Sequence, residues 1–236
     1  MVSNLPCPLW GVLAILVATA AGGLHLYLYL LYREKIADCL VHRGGIVRRF
    51  LLGRVYGYIS SILFGVAFVF SLLLLVASGH KTLYWFALFN SLAVVLLYRP
   101  LRELLLSETY PDVGLYLISK YLPWAVLLPS IPLYGFYTFS HLPLGEIIPT
   151  PDAVGYEKHL SEVYLRGFSC KWVGLFFCLV KVSDYAVWSL QMALSNYFPS
   201  GFKVFSVYLL LKEGFSVWAI NGFLAKLLAT LDARRL

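Results

Sequence analysis

The stretch VYGYISSILFGVAFVFSLLLLVAS, residues 55–78, carries no charged side chain from its first residue to its last. An α-helix needs about 20 predominantly apolar residues to cross the hydrocarbon core of a bilayer, and this stretch is long enough. The whole chain of 236 residues is 60% hydrophobic and 13% charged, with a mean hydropathy of +0.77, whereas about a quarter of the residues in a soluble domain are charged. These properties exclude a water-soluble fold and predict an all-α integral membrane protein.

Similar apolar stretches lie on both sides of residues 55–78 and predict a polytopic bundle of five to six transmembrane helices. The predicted spans are residues 9–32, 55–78, 83–98, 113–139, 172–194 and 204–231. The last stretch is interrupted by Lys212, Glu213 and Lys226, so it either crosses the membrane or lies along its surface; six spans are favoured. The sequence contains no internal repeat or linker, and residues 1–236 are predicted to form a single transmembrane domain.

Residues 140–170 form the one sizeable loop between predicted spans. Thr150-Pro151 is a typical helix start, since proline fits the first helical turn. The apolar residues that follow share one helical face: Tyr156, Leu160, Val163 and Tyr164. This spacing predicts one short amphipathic helix on the outer surface of the membrane.

Basic residues are concentrated between the first two spans. The segment from Arg33 to Arg54 contains six Lys and Arg residues against Glu34 and Asp38. Because positively charged loops stay on the inner side of a membrane, this loop is predicted inside and the N-terminus on the outer side. The net charge of +7 therefore reflects topology, and no nucleic acid partner is predicted.

Four arginines of this loop alternate with apolar residues, and they are Arg43, Arg48, Arg49 and Arg54. Such a pattern at the interface is suited to hold the headgroup of an anionic phospholipid such as cardiolipin. The alternative is that these arginines serve as topology determinants alone. The predicted location is an energy-transducing inner membrane, mitochondrial or bacterial.

Small residues recur at every fourth position from just before the second span into its middle, and they form a stripe: Gly53, Gly57, Ser61 and Gly65. Small residues let two helix backbones approach closely. The stripe packs either against the first span, where Ala18 and Gly22 form a companion pattern, or against another membrane subunit. Neither interpretation implies chemistry.

Ionisable residues occur within the last two predicted spans: Lys181, Asp184, Lys212 and Glu213. Folding these helices antiparallel places Asp184 opposite about Gly214, so the four charges lie within about one turn in depth. A charge at the bilayer centre costs at least about 2.5–3.5 kcal/mol, so such residues pair or face water. The group is interpreted either as a self-neutralising cluster that joins two helices or as a path for ions or protons.

No cofactor or metal site is predicted. His25 is the one histidine well inside a span, and a haem held by two imidazoles needs a second one at the same depth; His25 is expected to be a hydrogen-bonded interior residue. Cys7 and Cys170 fall on the same predicted side, which permits a disulfide, but four unpaired cysteines are expected.

The leading functional hypothesis is an accessory, structural subunit of a larger, energy-transducing membrane complex, with other membrane subunits as partners and no catalytic activity of its own. The alternative is a channel, transporter or membrane effector that uses the charges of the last two helices. An enzyme of lipid metabolism, built on Arg99, Arg102 and Glu103, ranks third.

Overall fold

The computed structural model describes residues 5–40, 54–108, 111–140, 147–148, 152–195 and 204–233, and within these ranges it describes no side chain at 34–40, 54, 111–112 and 139–140. Every secondary-structure element in this part of the chain is helical. The helices are α1 (Cys7–Leu40), α2 (Arg54–Ser78), α3 (Lys81–Glu108), α4 (Pro111–Ser140), α5 (Ala153–Leu160), α6 (Lys171–Ser195) and α7 (Val204–Ala233). A π-helical segment, Ser161–Arg166, follows α5.

Five of these helices are long and apolar enough to cross a membrane: Cys7–Arg33 of α1, Val55–Ser78 of α2, α3, α6 and α7. The last helix, for which the sequence left two orientations open, is therefore among them. Helix α4 corresponds to the fourth predicted span and is 30 residues long. It is not among these five helices.

Helix α5 begins one residue after Asp152, whose carboxylate accepts a hydrogen bond of 2.7 Å from the Gly155 N–H. Asp152 is thus the N-cap, because a side-chain acceptor satisfies a free N–H of the first turn. It lies two residues after Thr150, the N-cap that the predicted start at Thr150-Pro151 implies; Thr150 and Pro151 lie outside the described residues. Tyr156 and Leu160 of the predicted apolar face are buried, whereas Val163 is exposed.

The chain divides into two compact units. The first contains Met1–Ala14, Leu72–Phe86 and Pro129–Ser216. One part of its core combines α5 with α7 and the short segment 147–148, and its buried members are Ile147, Ile148, Tyr156, Leu160, Phe205 and Leu209. A second part joins α2 to α6 and the residues before it: Leu74, Ala77, Phe168, Phe177 and Val180.

The second unit contains Ile15–Ser71, Ala87–Leu128 and Val217–Leu236. Its core is formed by apolar side chains of α1, α3, α4 and α7: Leu28, Tyr32, Val94, Tyr98, Leu115, Ile118, Leu122, Val126, Ala225 and Ala229.

Prolines in the second half of α4 do not end the helix, because it continues to Ser140.

Within the second unit, the small residues of α2 face α1, and the backbones of the two helices come close together there. A Cβ atom added at Gly22 would lie 2.8 Å from the Ser61 carbonyl oxygen, and one added at Gly65 would clash with the Ala18 carbonyl oxygen. Gly57 lies under the Tyr29 ring. This part of the stripe therefore packs against α1 of the same chain, and Gly53 lies outside the described residues.

Neighbouring glycines of α1 provide a test of this close packing. Gly22→Ala should destabilise the protein, because an added methyl group against a carbonyl oxygen is overpacking, which costs about 1–3 kcal/mol. Gly23→Ala is the matched control, since a Cβ there meets nothing within 4 Å and alanine is favoured over glycine in a helix by up to ~1 kcal/mol. Thermal unfolding of the purified protein in detergent measures both, and equal melting temperatures would contradict the packing.

Candidate functional site

A network of ionisable side chains is buried inside the first unit. Helix α6 contributes Lys181 and Asp184, which are one turn apart, and α7 contributes Lys212 and Glu213. The turn between α2 and α3 contributes His80, which follows Gly79; the positive φ of +69° at Gly79 is a conformation that glycine adopts readily. All are nearly inaccessible to solvent; Asp184 is 0% exposed and Glu213 is 1% exposed.

Asp184 is the acceptor at one end of the network. Its Oδ1 lies 2.5 Å from the Lys212 ammonium, and it accepts a second hydrogen bond of 3.1 Å from the Tyr208 hydroxyl. Its Oδ2 lies 4.0 Å from the Lys181 ammonium. Lys181 in turn donates to the carbonyl oxygen of Ser78 at 3.1 Å, so this carboxylate is held between two lysines.

Glu213 is the acceptor at the other end. Its Oε1 lies 2.6 Å from His80 Nε2, and its Oε2 accepts from the Tyr134 hydroxyl. The Leu83 N–H donates to His80 Nδ1 at 3.3 Å. In the tautomer that accepts at Nδ1, Nε2 carries a proton and donates it to Glu213. The network also contains two lysines and two carboxylates.

This arrangement joins several elements through polar contacts. Asp184–Lys212 links α6 to α7, Lys181 links α6 to the end of α2, and Glu213 links α7 to α4 and to the α2–α3 turn. Taking a charge out of water costs several kcal/mol, and a partner with further hydrogen bonds offsets that cost. The contacts made by these residues are those of a charge-balanced group that holds helices together.

Tyr156 connects α5 to the same region. Its hydroxyl donates a hydrogen bond of 2.9 Å to the carbonyl oxygen of Lys181. Burial, together with the nearby Asp184 carboxylate, raises the pKa of Tyr156, so the phenol keeps its proton and remains a donor. The ring also stacks on Tyr185, with centroids 4.5 Å apart.

The structure brings together the four charged residues that the sequence singled out. Asp184 contacts Lys212, which lies two positions before Gly214, the residue predicted to be opposite Asp184. The sequence did not indicate His80, Tyr134 and Tyr208 as partners. A histidine in a short turn gives no sign of burial, and a tyrosine in an apolar helix gives no sign of what its hydroxyl contacts.

The expectation of four unpaired cysteines is wrong. Cys7 and Cys170 form a disulfide with their Cα atoms 4.5 Å apart. The bond ties the first residue of α1 to the residue before α6, and the shared predicted side of these two cysteines was the sequence property that allowed it. Cys178 is a free thiol.

The other predicted residues occupy separate places. His25 Nε2 lies 3.3 Å from the Ser60 hydroxyl, and its ring stacks on Phe64. Among the described residues, no group of three or more His, Cys, Asp or Glu side chains could hold a metal ion. Arg43, Arg48 and Arg49 lie outside the described residues, and Arg54 begins α2.

The two arginines named for a lipid enzyme each form an ion pair. Arg102 Nε lies 2.9 Å from Asp232 Oδ2, which joins α3 to α7. Arg99 Nε lies 3.1 Å from Glu103 Oε1 on one exposed face of α3.

Removing one partner of the buried network should be far more costly than removing both. Asp184→Leu leaves two lysines without their carboxylate, and breaking a buried pair in this way costs about 3–5 kcal/mol. Asp184→Leu combined with Lys212→Met removes one charge of each sign and should recover part of that loss. Thermal or denaturant unfolding in detergent measures the difference.

The matched control is Glu103→Gln, because its ion pair with Arg99 is exposed, with side-chain exposures of 84% for Arg99 and 62% for Glu103. Exposed pairs contribute about 0–1 kcal/mol. A single Asp184→Leu variant as stable as Glu103→Gln would show that the network does not stabilise the fold.

Comparison of the chain with known proteins found no match: no protein-family model, curated protein or solved structure matches it. What the site does is therefore inferred from the contacts of its own residues.

Proposed function

We propose that this chain is a multi-pass integral membrane protein that serves as an accessory, structural subunit of a larger membrane assembly. Five helices long and apolar enough to span a bilayer support the membrane location. Helix α4 is proposed to cross as a sixth helix beside them, since its side chains contribute to the core of the second unit.

The observation that supports a structural role is that the charged groups of the buried network have partners within the same chain. Each of its four charged groups contacts a group of opposite charge or a hydrogen-bonding partner in the same chain. A substrate or ion site keeps a charged group available for its ligand. Here the charges are used to join helices, as expected of a scaffold.

The disulfide supports the proposed orientation. Disulfides persist in oxidising compartments and are rare on the reducing side of a membrane. Cys7 lies at the start of α1 and is bonded to Cys170, so an N-terminus on the outer side agrees with the basic loop on the inner side. The location in an energy-transducing inner membrane and the binding of cardiolipin by the basic loop remain predictions.

The native mass of the protein tests the proposed role. After extraction from its own membrane in a mild detergent, the chain should be found together with other subunits in one particle. The measured mass of that particle should be much larger than the 26.6 kDa of the chain plus bound detergent. A monomer or a small homo-oligomer, well folded and free of other proteins, would contradict the accessory role.

A second candidate function is conduction of protons or ions, and one specific observation favours it. Titratable groups follow one another closely through the network, from Tyr208 and Asp184 to Lys212, and from the adjacent Glu213 to His80 and Tyr134. Chains of such groups form proton relays in pumps and transporters.

Flux measurements separate this candidate from the structural role. If the network conducts, purified protein in liposomes should carry a proton or cation flux that Asp184→Asn abolishes and Glu103→Gln leaves unchanged. Folded wild-type protein without flux would exclude conduction by this chain alone.

A further inference from the structure

A cavity of about 350 Å³ lies within the second unit, between α1, α2, α4 and α7. Its size falls within the range of small-molecule sites in proteins, about 300–1,000 Å³. Along α7 it is lined at every fourth residue, by Trp218, Gly222 and Lys226. Because a helix rises 1.5 Å per residue, these eight residue steps give the cavity a length of roughly 12 Å along the helix.

The charged groups that line this cavity are all basic. Arg33 comes from α1, Lys120 from α4 and Lys226 from α7, and no Asp or Glu is among the described residues that line it. The Lys226 ammonium lies 4.1 Å from the centroid of the Phe64 ring, and no ion pair of Lys226 is found among the described residues. No ion pair of Lys120 is found among the described residues either, and these two lysines favour an anionic ligand, since phosphate is an anion that Lys and Arg bind strongly.

The remaining walls are largely aromatic. The rings of Trp124 and Trp218 lie 5.4 Å apart, two helical turns along α7 from Lys226. His25 stacks on Phe64 with centroids 5.3 Å apart. A ligand that fills this space presents an apolar part to the tryptophans and a charged part to the lysines.

We propose that this cavity binds the phosphate-bearing head of an anionic amphiphile, with Arg33, Lys120 and Lys226 around the phosphate and the tryptophan pair against the apolar portion. Apart from Arg33, the residues of this site that carry a positive charge come from outside the basic segment Arg33 to Arg54, and the proposal does not depend on membership of a larger assembly. A cationic cavity with aromatic walls, next to an apolar exterior, recognises both parts of such a molecule.

Gly222 allows the cavity to be closed without changing its charge. A Cβ atom there would meet Phe64 at 3.5 Å, which is ordinary contact, so Gly222→Ala should keep the site. The longer side chain of Gly222→Leu extends into the space and should displace the ligand. Lys226→Gln removes one cation, and Lys120→Gln removes another whose side chain is exposed at the edge of the cavity.

The full-length protein in a neutral detergent is titrated with phosphatidic acid, with phosphatidylcholine and with inorganic phosphate, and binding is followed by thermal shift and native mass spectrometry. Phosphatidic acid should stabilise the wild type and Gly222→Ala, whereas phosphatidylcholine should not. Lys226→Gln should weaken phosphatidic acid binding about tenfold, since a charge-assisted contact is lost. Gly222→Leu should weaken it at least as much, and Lys158→Gln, on the exposed face of α5, should bind as the wild type does.

Three results would overturn the proposal. The first is an unchanged affinity in Lys226→Gln and Gly222→Leu, which places lipid binding elsewhere. The second is equal protection by inorganic phosphate, which excludes the amphiphile as the occupant. The third is the absence of any protection of the wild type by phosphatidic acid. Where Lys226→Gln does not give a single folded species in size-exclusion chromatography, Lys120→Gln takes its place.

Discussion

Carboxylates and ammonium groups inside an apolar helical bundle need partners, and in the first unit those partners come from the same chain. Asp184 and Glu213 are removed from solvent, at a cost of several kcal/mol for each ion. Two lysines, a histidine and two tyrosine hydroxyls surround them. Each partner comes from a different position along the chain, so satisfying these carboxylates also sets which helices lie next to each other.

Because buried charges and polar groups need partners, the groups that contact Asp184 and Glu213 are either uncharged or of opposite charge. His80 contacts Glu213 through Nε2 and the Leu83 N–H through Nδ1, so both ring nitrogens have a partner in the same chain. Tyr134, Tyr156 and Tyr208 donate hydroxyl protons without adding charge. Their rings also contribute apolar surface, as where Tyr134 stacks on Phe86 with centroids 4.0 Å apart. Tyrosine therefore serves both as core residue and as hydrogen-bond donor.

In the second unit, packing depends on the absence of side chains. Gly22 and Gly65 bring the backbones of α1 and α2 close enough that a single methyl group would meet a carbonyl oxygen. Dispersion between closely packed backbones drives helix association where the surroundings are apolar. Gly222, by contrast, borders a cavity with basic and aromatic walls, so glycines of one unit serve opposite purposes, close contact in one place and open space in another.

Much of the helical organisation was predictable from the amino-acid sequence. Long uncharged stretches such as residues 55–78 identify helices, because their composition and length are local properties. Spacing also pointed to the companion patterns at Gly22 and Gly65 and to the grouping of Lys181, Asp184, Lys212 and Glu213. The N-cap at Asp152 was missed because Thr150-Pro151 offered a competing start two residues earlier.

The sequence by itself determined that the described chain forms apolar helices and which of their positions are small or charged, since these properties follow from residue type and spacing. The tertiary structure alone decided that Glu213 pairs with His80, that Cys7 bonds to Cys170, and that Lys226 lines a cavity with Arg33 and Lys120. Each of these contacts joins residues more than 90 positions apart. No local pattern encodes such a pairing, because it depends on how whole helices pack.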